Sequence, residues 1–291
     1  MKTGTILINA YTQSESELYQ PKRLKEALEK LGVCVQIKRN ILSAGLCKSK
    51  VEIQPFGDFC VYLDKDRYAG ELLERAGMRL FNRASAVAVC DDKMATFTAL
   101  AGEGIPFPDS YFAPLCYSDE PVSEELLEGV ARKLGFPLVV KTCYGSLGKG
   151  VYLAEGREEL FVLASRLQGV PHLFQKFVAS SRGRDVRVIV IGGEARVAML
   201  RTSDGDFRSN IELGGKGEPF PLDGALKELG AKVARSLRLD YCGIDFLFDG
   251  KGGYTVCEVN SNAFFGGMER VTGYPVAEEY AKYIVKEGCG T

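Results

Sequence analysis

The chain has 291 residues, 46% of them hydrophobic and 26% charged, which suits one elaborated globular domain or two and argues against disorder. A formal net charge of −1 leaves no global basic footprint for nucleic acid. No apolar run approaches the ~20 residues of a membrane span. Met1-Lys2-Thr3-Gly4 runs straight into a strand-like Thr5–Asn9. No signal peptide is visible there, so a cytoplasmic protein is expected. Glu17–Leu31 reads as an amphipathic helix, with Leu24, Leu28 and Leu31 at helical spacing and Gly32 as the stop. Val33–Ile37 and Phe59–Leu63 are strands, Ala69–Ala76 a helix and Arg79–Asn82 a short fourth strand. This alternation predicts a small parallel α/β layer, Rossmann-like in shape. Ala10-Tyr11-Thr12-Gln13 after the first strand lacks the glycine fingerprint of dinucleotide binding.

A helix is expected from about Ser85 to Gly102, and Gly104-Ile105-Pro106-Phe107-Pro108 then breaks the chain. A second segment holds a helix at Glu124–Leu134, strands at Leu138–Thr142 and Val151–Leu153, and a helix at Glu158–Leu167. A third segment holds strands at Leu173–Phe177, Asp185–Ile191 and Ala195–Arg201, a helix at Leu222–Leu237, a hairpin, and a last helix at Val276–Glu287. Nine cysteines without CxxC spacing, several inside apolar runs, read as reduced thiols and not as a disulfide frame or zinc site. The single histidine, His172, has no second histidine with which to build a zinc or acid–base constellation.

The C-terminal hairpin carries the sharpest signal. Strands Tyr241–Asp249 and Tyr254–Ser261 flank the turn Gly250-Lys251-Gly252-Gly253. Counting back from that turn sets Asp245 opposite Glu258, with Cβ atoms about 5 Å apart. Asn260 shares the face of Glu258. Two carboxylates and an amide suit Mg²⁺, which takes hard oxygen donors from protein, phosphate and water; the alternative is a solvated hairpin face. Gly145-Ser146-Leu147-Gly148-Lys149-Gly150 can close backbone N–H groups round phosphate, or can be an ordinary turn. Lys141 lies in an apolar strand, where a buried ammonium calls for an anionic partner. Lys93 is ambiguous, and a surface salt bridge is the plainer reading. Arg208, within Asp204-Gly205-Asp206-Phe207-Arg208-Ser209-Asn210, is suited to bidentate binding of carboxylate or phosphate, or belongs to a polar surface loop. Arg187 and Asp185 share a strand face, where they could form an ion pair.

In order and wording, Cys90-Asp91-Asp92-Lys93, FPLVVKTCYGSLGKGV, FQKFV, GRDVRVIVIGG, DFRSNIELGG, CGIDFLF and EVNSNAFFGGMERVTGYPVA resemble the ATP-grasp superfamily, in its RimK-like branch of amino-acid ligases. The resemblance spans residues 85–285. It implies an α/β (α+β) ATP-grasp fold with a Rossmann-like N-terminal domain over 1–90, a small subdomain with the flap over 91–170, and a metal-bearing subdomain over 171–291. By position, it implies that Lys93 and Lys141 hold ATP phosphates, with Gly145, Ser146, Gly148, Lys149 and Gly150 as the flap. Gln175, Lys176 and Phe177 would read adenine through backbone, with Asp185 at the nucleotide. Arg208, Ser209 and Asn210 would line the phosphate and acyl-phosphate end, with Arg187, Arg208 and Asn210 at the reacting groups. Asp245, Glu258 and Asn260 would bind two Mg²⁺ ions, Mn²⁺ being the alternative. The implied partners are ATP, an amino acid such as glutamate and a carboxylate acceptor that is a small molecule, peptide or protein tail; self-association into a homo-oligomer is compatible with this. The implied chemistry is carboxylate activation to an acyl phosphate followed by amine attack. The chain departs from the family's usual pattern in three places. Lys176 stands where an acid is common. Asn262-Ala263-Phe264-Phe265 replaces a Ser-Pro-Gly type turn, which sets two aromatics at the mouth of the site. Gly243 stands where D-alanine-type ligases carry an arginine, which argues against that class.

Overall fold

A computed structural model describes residues 2–117, 120–146, 148–209 and 214–288. The fold is mixed α/β and holds three main sheets. The first is wholly parallel, in the order Cys34–Arg39, Thr3–Ile8, Phe59–Leu63, Leu80–Phe81. The helix Glu15–Lys30 opens on a capping box between Ser14 and Glu17. It buries Leu24 and Leu28, whereas Leu31 caps its end and is 43% exposed. A small hairpin, Ala44–Cys47 with Lys50–Ile53, was not foreseen; its strands are short and half-exposed, so their alternation is weak.

The expected helix over 85–102 is two helices, Ala84–Asp91 and Lys93–Leu100. Asp92 breaks them with extended backbone (φ −104°, ψ 112°), and its carboxylate accepts from the Met94 and Ala95 amides at 2.9 and 3.0 Å. Aspartate is a good N-cap and a poor interior residue, so the acid that looked helical instead restarts the helix.

The second sheet is antiparallel, in the order Ser110–Phe112, His172–Lys176, Leu138–Thr142, Val151–Ala154. The 172–176 strand, grouped by sequence with the third segment, thus pairs with Leu138–Thr142. Helices Glu124–Leu134 and Arg157–Leu167 bury Leu127, Val130, Leu160 and Leu163 against Leu138, Val140 and Phe174.

The third sheet is antiparallel, in the order Lys216–Phe220, Glu194–Thr202, Arg184–Ile191, Tyr241–Phe248, Tyr254–Asn260. Its two faces separate by the strand period of two. Val188, Val190, Ala198, Ile244 and Phe246 pack with Leu226 and Val233 of the helix Gly224–Ser236. Ile189, Ile191, Met199 and Tyr241 face the other way, into a core shared with the first sheet, the Glu15–Lys30 helix and the helix Val276–Gly288. Along that second face the next positions are charged: Asp185, Arg187, Arg201 and Asp245. Among the described residues no helix is long and apolar enough to cross a membrane, and Cys34, Cys47, Cys60, Cys90, Cys143, Cys242 and Cys257 are free thiols.

Candidate active site

The charged end of the third sheet forms the floor of the site. Arg187 lies opposite Asp245, and Asp185 opposite Arg201, across neighbouring strand pairs. Arg187 grips Asp245 with both ends of its fork (Nε–Oδ1 2.7 Å, Nη2–Oδ2 2.8 Å). Arg201 grips Asp185 in the same way, at 2.7 Å twice, and reaches Asp245 Oδ2 at 2.9 Å. The expected Arg187–Asp185 pair is therefore replaced by two cross-strand pairs, because a strand's neighbours across the ladder lie closer than its own i+2 residue. Burial pushes the Asp245 carboxyl up, but Arg187 and Arg201 outweigh it and take it down to about 2. Asp185 is raised instead: burial dominates, and Arg201 is opposed by the like charge of Asp245.

Sequence reasoning missed Arg201. Counting back from the Gly192-Gly193 turn sets Leu200 opposite Asp185; an irregularity between Ile189 and Val190 shifts the register by one and brings in Arg201. The Asp245/Glu258 hairpin has the same feature. Phe248, not Asp249, faces Tyr254, and a bulge between Asp245 and Phe246 restores the pairing of Asp245 with Glu258. The expected pair is present because two displacements cancel.

Asp245 and Glu258 line a cleft between the second and third sheets, where apolar walls such as Val139, Phe177 and Leu247 meet a few converging charged groups, the usual make-up of a ligand site. Lys93 and Lys141 enter it, each 6% exposed. Lys93 is not a surface residue: the break at Asp92 turns it inward, where Nζ donates to the Gly145 carbonyl at 2.9 Å and lies 3.5 Å from Glu258 Oε1. Lys141 Nζ has only the Cys257 sulfur, at 3.6 Å; no carboxylate among the described residues pairs with it. Burial raises the Cys257 thiol, and Lys141 opposes that.

Gly148 of the flap lines the cleft, and Arg208 Nη1 holds its carbonyl at 2.7 Å. Gly150 (φ 72°) packs so closely that a Cβ would lie 2.2 Å from Thr142 Oγ1. Gly145, Ser146 and Lys149 are more peripheral, and Leu147 lies outside the described residues. Arg208 does not present a free fork: Asp206 takes Nε and Nη2, at 3.0 and 2.6 Å. The opposite wall is Gln175, Lys176 and Phe177, where Gln175 Nε2 donates to Ser110 Oγ at 2.9 Å. Ser209 is buried and donates to Asp185 Oδ2. Asn210, expected at the phosphate end, lies outside the described residues.

The donor chemistry fits Mg²⁺. A carboxylate accepts about four hydrogen bonds, and three are taken on Asp245, leaving one lone pair on Oδ1. Glu258 is partly open, and the amide oxygen of Asn260 on the same strand is a further hard donor. A second cleft adjoins the first through Arg201 and is lined by Arg187, Arg270, Gln20 and Phe264. Phe264 is 44% exposed at its edge, but Phe265 is fully buried against Tyr19 and Tyr241, so one aromatic stands at the mouth where two were expected.

The RimK-like ATP-grasp domain description matches residues 90–284. The chain is 39% identical over 227 residues to beta-citrylglutamate synthase B of Danio rerio, covering 77% of this chain and 55% of that protein. It is 39% identical over 215 residues to N-acetylaspartylglutamate synthase A of Mus musculus, covering 73% and 55%. It thus spans about half the length of these relatives. The crystal structure of a RimK domain ATP-grasp protein from Sphaerobacter thermophilus shares the fold, with a TM-score of 0.72 at 19% identity over 96% and 98% of the two chains. With a match that takes in both the cleft and the flap, this chain belongs to the RimK-like ATP-grasp family.

Proposed function

We propose that the protein is an ATP-dependent ligase that joins the amine of an amino acid, such as glutamate, to a carboxylate. The observation that carries this is Lys141, a buried ammonium facing a cleft where, among the described residues, no carboxylate pairs with it. Burying a cation is costly unless an anion meets it, and a polyphosphate supplies that anion. The nucleotide lies between the portions 91–170 and 171–291, with Lys93 and Lys141 on its phosphates and the flap Gly145–Gly150 over them. Gln175–Phe177 flank the adenine, and Asp185 stands near the nucleotide. Asp245, Glu258 and Asn260 hold two Mg²⁺ ions, which when bound neutralise phosphate charge.

A carboxylate oxygen of the acceptor attacks the γ-phosphorus and ADP leaves. The amine nitrogen then attacks the acyl carbon of the mixed anhydride, phosphate departs, and the nitrogen loses a proton to water. This chemistry needs alignment and charge neutralisation more than a protein nucleophile. Arg208 and Ser209 face the transferring phosphoryl group. Arg187, which lines the second cleft, faces the carboxylate. The relatives named above, which make citrylglutamate and N-acetylaspartylglutamate, support a glutamate amine and an acidic acceptor. A cytoplasmic place of action fits the free thiols. A D-alanine-type ligase is disfavoured, because a Cβ at Gly243 would lie 2.5 Å from the Ala263 Cβ, leaving no room for an arginine.

The test is ADP and phosphate release with ATP and Mg²⁺ across the twenty amino acids, each paired with small carboxylates and acidic peptides, with mass spectrometry of the products. A new amide mass with stoichiometric ADP is expected. Nucleotide binding without turnover on any pair would favour a sensor or scaffold, and no nucleotide binding would overturn the reading.

A further inference from the structure

Gln20 lies on the buried side of the Glu15–Lys30 helix, one turn before Leu24, and is 3% exposed. Neither its Nε2 nor its Oε1 has a hydrogen-bond partner among the described residues. A bare buried amide lowers stability, whereas a leucine in its place would leave nothing unpaired. Packing therefore gives no reason for a glutamine. Gln20 lines the second cleft and also the adjoining recess, which holds Asn9, Ser146 and Asn262. Phe264 lines both.

A cation stands nearby. Arg270 is exposed and forms no ion pair among the described residues. A Cβ on Gly266 would lie 3.4 Å from Arg270 Nη1 and 2.9 Å from Tyr19 Cδ1, so the guanidinium end sits against the helix that bears Gln20. The acids at this cleft are already engaged. Glu17 accepts from the Ser14 amide and hydroxyl, and Glu15 pairs with Lys22.

We propose that this cleft seats the non-reacting part of the carboxylate substrate and that Gln20 is its specificity residue, reading an amide group. On binding, the side chain turns its amide into the cleft; Nε2 donates to the substrate carbonyl and Oε1 accepts its N–H. A carboxylate alone would leave Oε1 bare, because it has no donor. Arg270 takes a second carboxylate. The substrate class is an N-acylated amino acid or peptide carrying a further carboxylate. This rests on the ligase reading above and deepens it.

The test uses the full chain with Mg²⁺ and a non-hydrolysable ATP analogue, whose own binding is measured first. Affinities for N-acetyl-L-aspartate and for 2-acetoxysuccinate, the same skeleton with oxygen in place of N–H, are then compared by calorimetry. Wild type should prefer the amide by about tenfold or more, the value of one buried hydrogen bond with its partner left unpaired otherwise. Gln20→Leu should bring the two compounds within about twofold, with nucleotide affinity kept and thermal stability equal or higher. Gln20→Met, unbranched and of similar length, should do the same and covers the case in which leucine misfolds. A preference unchanged in both variants, an ester bound as tightly as the amide by wild type, or no binding of either compound beside a bound nucleotide would overturn the proposal and leave the ligase reading standing. Failure of the nucleotide analogue itself to bind would remove both.

Discussion

Arg201 and Lys141 are both buried cations, yet they answer to opposite electrostatic rules. Arg201 neutralises Asp185 and shares Asp245 with Arg187, so Arg201→Met strands the Asp185 carboxylate in the interior. Breaking a buried pair in this way costs about 3–5 kcal/mol. Chemical denaturation should show that loss, and an unchanged midpoint would mean the quartet is dispensable. Lys141 leaves no carboxylate behind when removed. Lys141→Met should keep or raise the stability of the free protein and weaken nucleotide binding about 10- to 100-fold, the worth of a charge-assisted bond to phosphate. Unchanged affinity by calorimetry would refute its role. Glu258→Gln keeps the shape and removes the charge. Mg²⁺-dependent ADP release should fall about 10²- to 10³-fold, as when a charge-stabilising group is lost; a near-normal rate would exclude it as a metal ligand.

At the scale of elements, irregularities bring the site together. The break at Asp92 turns Lys93 inward. The irregularity between Ile189 and Val190 sets Arg201 against Asp185, and the one between Asp245 and Phe246 sets Glu258 against Asp245. Bulges re-aim side chains in this way beside many active sites. The Gly145–Gly150 flap is joined to the rest through Lys93 at Gly145 and Arg208 at Gly148. Both cations are proposed to meet phosphate, so nucleotide binding should exchange these flap contacts for contacts to the ligand. Amide hydrogen exchange over 145–150 should slow on addition of Mg²⁺ and an ATP analogue. Equal exchange in the two states would count against a lid.

Across the whole molecule, the first sheet is not an independent lobe. Ile6, Val61 and Phe81 share one core with Ile189, Tyr241 and Tyr280. Asn82 ties the layers further: its Nδ2 donates to the carbonyls of Tyr241 and Ser261 at 2.8 Å, and its Oδ1 accepts from the amides of Asp240 and Tyr241 at 2.7 and 2.9 Å. These contacts end on the Asp245/Glu258 hairpin and the turn after it, so the first layer sets where that hairpin stands. Calorimetry should show one cooperative transition. Asn82→Ala should lower its midpoint by about 5 °C or more, since several buried groups lose their partners. Two separated transitions would mean that the layers fold apart.

Elements with strong periodicity were legible from residues alone. Phe59–Leu63, Glu124–Leu134 and Leu138–Thr142 lie where alternation and helical spacing put them. Lys141, the Gly145–Gly150 loop and the hairpin carboxylates were legible as motifs, whereas Lys93 read as a surface residue because nothing local shows that the break at Asp92 turns it inward. What faces what was decided only by the tertiary structure. Arg201 lies 16 residues from Asp185 and Arg187 lies 58 from Asp245, and a one-residue bulge reverses which neighbour meets which. Gln20 and Arg270 carry no local signal either, since they come to line one cleft only when the first layer packs on the last helices. The sequence by itself determined the chemistry available on each strand and loop, through local spacing. The tertiary structure decided the ion pairs and the second cleft, because those depend on register and on layers that join only in the folded chain.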